Sequence, residues 1–174
     1  ADDIAYNNHD IDDGLRAGLI AIEDLADVPL VGPFVRAALA RGGSVEKRRH
    51  VYEVNRRMIT AMIDDVGSAS RRRLAAIEAR SADDVRAASE AVVAFSEGMT
   101  EDLAGLRRFL FKAVYRHERV MHIMGEAEGV LRDLFARYIE NPEALPAEWR
   151  HTLPADARAR AGVVADFIAG MTDR

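Results

Sequence analysis

The sequence has no cysteine, which excludes disulfides, thiolate zinc sites and cysteine nucleophiles at once. Proline is scarce, at five in 174 residues, and aromatic residues reach only 6%. No apolar run approaches the roughly twenty residues of a membrane span, and no signal peptide opens the chain. These absences predict a cytoplasmic protein with no membrane attachment. The formal net charge of −5 does not suit a generic nucleic-acid coat, although 22 of the 24 basic residues are arginine. There is no alternating apolar stretch of strand length and no turn pair typical of a hairpin.

What is present favours helix. Alanine fills 30 positions, apolar residues make up 49% and charged residues 30%, a balance of globular chains rather than disordered ones. Apolar residues at three- and four-residue spacing predict an all-α chain. The first 20 residues form one helix with Ile4, Ile11, Leu15 and Leu19 on one side, and Gly14 and Gly18 either admit a close neighbour or loosen it. A short element spans 21–27, a turn is marked by Pro29, Gly32 and Pro33, and a helical turn or two covers 34–40. Gly42-Gly43-Ser44 is a break, with Ser44 capping a helix over about 45–66. Arg71-Arg72-Arg73 leads into an irregular stretch. Ser81 caps the next helix, with Asp83 and Asp84 at its positive end, Gly98 ends it, and Thr100 caps another. Val120, Met124, Ala127, Leu131, Leu134 and Tyr138 give the cleanest stripe, over 118–140, stopped by Asn141-Pro142. The last helix carries Val163, Val164, Phe167, Ile168 and Met171.

Several chemical motifs fail on spacing. Asp10, Asp12, Asp13 and Gly14 miss the calcium-loop register. His117 and His122 lie five apart, whereas a zinc-protease helix needs four. The methionines 58, 62, 121 and 124 fall on core stripes. Arg48, Arg49, Arg56, Arg57 and Arg71–Arg73 could meet phosphate oxygens with paired planar donors, or could serve solvated faces and ion pairs. The opening helix is the most informative element. Asp2, Tyr6 and Asp10 are four residues apart and share one face. Two carboxylates and a phenol so stacked could hold a divalent metal and ligand hydroxyls. The same pattern also suits a solvated acidic face.

Three segments carry a family resemblance. Residues 2–14 (DDIAYNNHDIDDG), 109–117 (FLFKAVYRH) and 163–174 (VVADFIAGMTDR) resemble, in the same order, segments of the bacterial deoxyguanosinetriphosphate triphosphohydrolases, dNTP-hydrolysing enzymes of the HD-domain superfamily. The resemblance implies an all-α, multi-helix HD-type phosphohydrolase of which residues 1–174 are the C-terminal helical part. It implies hydrolysis of a deoxynucleoside triphosphate, dGTP or several dNTPs, to deoxynucleoside and triphosphate. It further implies a divalent metal, Mg or Mn, with Asp2 as one ligand. Tyr6 would pack against the deoxyribose and Asp10 would accept from the sugar 3′-hydroxyl. His9-Asp10 has the look of the metal-binding doublet but falls in the sugar-binding segment. No residue of the chain is assigned a catalytic role, and a homo-oligomer is expected. The family's upstream His and His-Asp doublet have no counterpart here. With the opening Ala1-Asp2 lacking methionine, this predicts the C-terminal portion of a longer enzyme, inactive alone. Two further readings are a non-catalytic helical interaction or regulatory module, and an HD-type hydrolase of another nucleotide.

Overall fold

A computed structural model describes residues 1–40 and 47–171. It is helical throughout, with no strand among the described residues, as the periodicity predicts. The break at Gly42-Gly43-Ser44, the Ser44 cap and Thr172-Asp173-Arg174 lie outside the described residues. Two compact units divide the chain, Ala1–His117 and Glu118–Arg174.

The first unit is built on α1 (Asp2–Arg16), a 3-10 turn (Ile22–Leu25), α2 (Gly32–Ala40), α3 (Lys47–Ala76), the short α4 (Ala82–Arg86) and α5 (Glu97–Leu110), which runs on into a π-helical turn (Phe111–Tyr115). Asp2 and Asp3 occupy the positive end of α1 and Arg16 its last turn; Arg16 also pairs with Asp12 at 2.6 Å, one turn back. The inner face of α1 carries Ile11 and Gly14 and, less expectedly, Asn7 and Asn8, all buried. Ile11 joins Leu25, Val31, Val35, Val54, Met58, Met62, Leu106 and Leu110 in one core. Met58 and Met62 are fully buried, so their expected core role holds.

Gly14 and Gly18 do different things. A Cβ on Gly14 would sit 3.0 Å from Val114 Cγ2 and 3.2 Å from Ile20 Cδ1. The bare position thus lets the π turn lie against α1. Gly18 has φ +64°, the left-handed conformation that glycine adopts without a steric cost, and it ends the first helical run.

Several boundaries differ from the pattern-based reading, beginning with α1, which ends at Arg16 rather than near residue 20. The long helix α3 does not stop near 66 but continues to Ala76, through the arginine triplet. Arginine is a good helix former, and Gly67 is the lone weak position on the way. Arg73 then grips the chain beyond, donating to the carbonyls of Ala94 at 2.6 Å and Phe95 at 2.7 Å. Ser81 does cap α4, accepting from Asp84 N–H at 3.2 Å, but this helix ends after five residues. The cap of α5 is Ser96 rather than Thr100, and Gly98 lies inside the first turn. Asp65 fixes that cap: its carboxylate accepts from Ser96 N–H at 2.9 Å and Ser96 Oγ–H at 2.6 Å, while Ser96 Oγ accepts from Met99 N–H at 3.2 Å.

The second unit comprises α6 (Glu118–Glu140), a 3-10 turn (Pro142–Ala144), α7 (Ala147–Arg150) and α8 (Ala157–Ala169). Glu140 ends α6 just before Asn141-Pro142, as expected. Asp156 caps α8 through Ala159 N–H at 2.8 Å. Phe167 receives the edges of Tyr138 and Trp149, with ring centroids 5.2 and 5.4 Å away. Here the stripe of α6 is only partly covered. Tyr138 packs on Phe167, but Met124 is 58% exposed and Met121 42%. These two methionines are therefore not core residues in this structure, a correction to the pattern-based reading: periodicity reports that a face is apolar, not that something lies on it.

Candidate functional site

The face of α1 opposite the core carries the residues singled out by spacing. Asp2 and Tyr6 are exposed, Tyr6 by 69%, and Asp10 is half-buried one turn further on. The π turn meets this face. Tyr115 donates its hydroxyl to Asp10 Oδ2, and from α5 Arg107 pairs with Asp3. Tyr6, Asn7, Asp10, Arg107, Leu110, Phe111 and Tyr115 together line a cavity of about 480 Å³. Tyr6 and Asp10 are thus brought into one site. Asp2, one turn before Tyr6, does not line it.

The chemistry of the cavity follows from its parts. The Asp10 carboxylate beside it pushes the Tyr115 phenol up to about 12, with burial adding to the effect and Arg107 opposing it. Tyr115 therefore stays protonated and remains a donor over the whole physiological range. Asp10 keeps acceptor capacity, because a carboxylate offers about four lone-pair sites. Arg107 likewise keeps donors beyond the one facing Asp3. Phe111 and Leu110 supply an apolar wall, and Arg116 lies over the Phe111 ring at 5.2 Å. An acceptor, a fixed cation and aromatic faces around one cavity suit a ligand with a hydroxyl, an anionic group and a ring.

Spacing along the chain missed Arg107, Phe111 and Tyr115. Tyr115 and Phe111 do fall in the second resembling segment, 109–117, and the π turn that presents them is the kind of irregularity that gathers at functional sites. The arginines that spacing left open are now mostly placed. Arg56 and Arg57 both hold Glu53, at 3.0 and 2.6 Å, and the Arg57 and then the Arg56 guanidinium lower the Glu53 carboxyl. Arg71 donates to Ser68 at 3.3 Å, Arg73 holds the Ala94 and Phe95 carbonyls, and Arg49 and Arg72 are exposed. The side chain of Arg48 lies outside the described residues. His122 pairs with Glu126 at 3.5 Å on α6. Among the described residues no three His, Asp or Glu side chains converge where they could hold a metal ion. No helix among them is long and apolar enough to cross a membrane.

A family model described as a phosphohydrolase-associated domain matches residues 93–174, from the segment gripped by Arg73 through α8. Over its whole length the chain is similar to proteins named deoxyguanosinetriphosphate triphosphohydrolase-like, and it matches the C-terminal part of these longer relatives. It is 50% identical over 175 aligned residues to the deoxyguanosinetriphosphate triphosphohydrolase-like protein of Caulobacter vibrioides. The proteins of the same name from Parvibaculum lavamentivorans and Azorhizobium caulinodans are 48% and 47% identical to it. In each case the match takes in 100% of this chain and 44% of the relative. The chain thus spans under half the length of the curated relatives it matches.

Proposed function

We propose that this chain contributes the sugar- and phosphate-facing part of the active site of a dNTP triphosphohydrolase. The reaction is dNTP plus water giving deoxynucleoside and inorganic triphosphate, with dGTP or several dNTPs as substrate. The observation that carries this reading is the single cavity in which Tyr6 and Asp10 of α1 meet Arg107 and Tyr115. The whole-chain likeness to proteins named for dGTP triphosphohydrolysis supports it.

In this reading Asp10 accepts from the 3′-hydroxyl, and Tyr115, bonded to Asp10, holds that carboxylate in place. Tyr6 forms the wall that crowds a 2′-hydroxyl, so discrimination against ribonucleotides comes from shape plus one directed hydrogen bond. Arg107 faces phosphate oxygens. Asp2 would supply one hard oxygen ligand to a Mg or Mn ion, its carboxylate being exposed, and one carboxylate cannot hold such an ion without ligands from elsewhere. The metal, when bound, supplies charge neutralisation and an activated water. The protein is read as cytoplasmic and homo-oligomeric.

The test is turnover by the full-length protein. Incubation with dGTP and Mn²⁺ or Mg²⁺ should release deoxyguanosine and triphosphate, and pyrophosphate with dGMP would overturn the assignment. Asp2→Ala should abolish turnover. Tyr6→Ala should narrow the preference for dGTP over GTP. Turnover of none among dNTPs, rNTPs and monophosphates would favour a non-catalytic module.

A further inference from the structure

The four-residue interval that sets Asp2, Tyr6 and Asp10 on one face of α1 continues to a fourth position, Gly14. Gly14 is buried, and it carries no side chain where the π turn arrives. A Cβ there would meet Val114 Cγ2 at 3.0 Å, and Ile20 Cδ1 and Cγ1 at 3.2 and 3.3 Å. The two neighbours differ in how they can yield. The Ile20 atoms are the outer part of a flexible side chain, and Ile20 also borders a hollow beside the end of α1. Val114 is buried in the core and branched at Cβ, which leaves it one strongly preferred rotamer on helical backbone. The backbone around it is tied as well: Arg116 N–H donates to the Phe111 carbonyl at 3.0 Å and His117 N–H to the Val114 carbonyl at 3.1 Å. A side chain at position 14 is therefore accommodated by moving the turn, not by turning a rotamer.

That turn carries the site. Tyr115 follows Val114 directly, gives its hydroxyl to Asp10, and lines the cavity together with Phe111. Asp10 thus receives its donor from the same turn that rests on Gly14, one helical turn further along α1. Hydrogen bonds weaken steeply as they leave their preferred geometry, and small misplacements of positioning groups are costly. We propose that Gly14 is a positioning residue of the site: its missing side chain sets, through Val114, how closely the π turn approaches α1, and so whether Tyr115 reaches Asp10. The carboxylate held in this way turns its remaining acceptor sites to the cavity and selects a ligand that brings a hydroxyl there. In the reaction proposed above, that hydroxyl is the 3′-hydroxyl of a deoxynucleotide. This last step rests on that reading, whereas the link from Gly14 to Tyr115 does not.

The experiment uses the full-length protein. Gly14→Ala should lower the preference for dGTP over 2′,3′-dideoxyGTP, as a ratio of kcat/KM values, by about fivefold or more, the loss expected on weakening a hydrogen bond to a charged group. Adding Val114→Ala should restore the ratio to within about twofold of the parent, whereas adding Ile20→Val should not. A ratio unchanged by Gly14→Ala, or one restored by Ile20→Val and not by Val114→Ala, would overturn the proposal. Titration reads the same link without any substrate. The Tyr115 component, isolated as the difference from Tyr115→Phe in the same background, should fall from about 12 toward 10.0 in Gly14→Ala and climb back when Val114→Ala is added. Absence of turnover with every nucleotide would sink the proposed reaction and leave this titration to decide the role of Gly14. A Tyr115 component that stays near 12 in Gly14→Ala removes that role. Should Gly14→Ala not fold, Val114→Ile with Gly14 kept crowds the contact from the other side and should give the same losses; unchanged values there count against the proposal equally.

Discussion

Tyr115 and Asp10, 105 positions apart in the chain, share a hydrogen bond that closes one side of the candidate site. The bond joins the middle of α1 to a π turn, and it gives one of the four tyrosines an environment that can be read by titration.

Tyrosinate absorbance should therefore show one phenol titrating near pH 12, well above the ordinary 10.0. In Tyr115→Phe that component should vanish while the others stay. The sign follows from the raised value. The bond's contribution to stability is intact below pH 10 and is lost as pH rises through about 12. An unchanged titration curve in Tyr115→Phe would contradict the contact.

Asp65 holds the cap of α5 through two hydrogen bonds to Ser96. Asp65→Ala should lower stability by about 1–2 kcal/mol, measured as a shift of the urea midpoint at unchanged slope. The loss should be felt at the far end of α5, as weaker protection of amides in the π turn against hydrogen exchange.

Two glycines of α5 should respond with opposite sign. A Cβ on Gly105 would lie 2.6 Å from Pro29 Cγ, a ring atom with no rotamer to retreat into. Gly105→Ala should cost about 1–3 kcal/mol from overpacking. A Cβ on Gly98 meets nothing within 4 Å, so Gly98→Ala should be neutral or stabilise by up to about 1 kcal/mol through helix propensity. Thermal unfolding of the two variants side by side decides the matter.

The methionines divide in the same way. Met62 is fully buried, and Met62→Ala should cost about 2–5 kcal/mol. Met124, 58% exposed, should tolerate alanine within about 0.5 kcal/mol. Equal losses at both would mean that the α6 stripe is covered after all.

This last contrast shows what was legible in the sequence. Helical type was plain everywhere, because apolar spacing and composition agreed. The stripe of Asp2, Tyr6 and Asp10 was legible because it needs nothing beyond one helix and a four-residue interval. Arg107 and Tyr115 were not, because their meaning depends on a pairing over a hundred residues and on a π turn that no local rule announces. The arginine triplet looked like a boundary because a run of like charges is a poor neighbour to itself. It stays helical because Arg73 finds two backbone carbonyls that spacing cannot foresee. Met121 and Met124 share a period with true core residues, and only the packing separates them.

Helix α3 has a consequence for the whole first unit. Thirty residues at about 1.5 Å each make a rod of about 45 Å. Tyr52, Asn55, Ile59 and Ile63 on it line a hollow of about 610 Å³ against α1, and further along it stand Asp65 and Arg73, the two clasps on the segment leading into α5. Hollow and clasps are therefore spaced by a ruler rather than by a loop. A change in how the rod lies against α1 cannot be absorbed between them, and is carried along its length to α5 and the π turn that follows it.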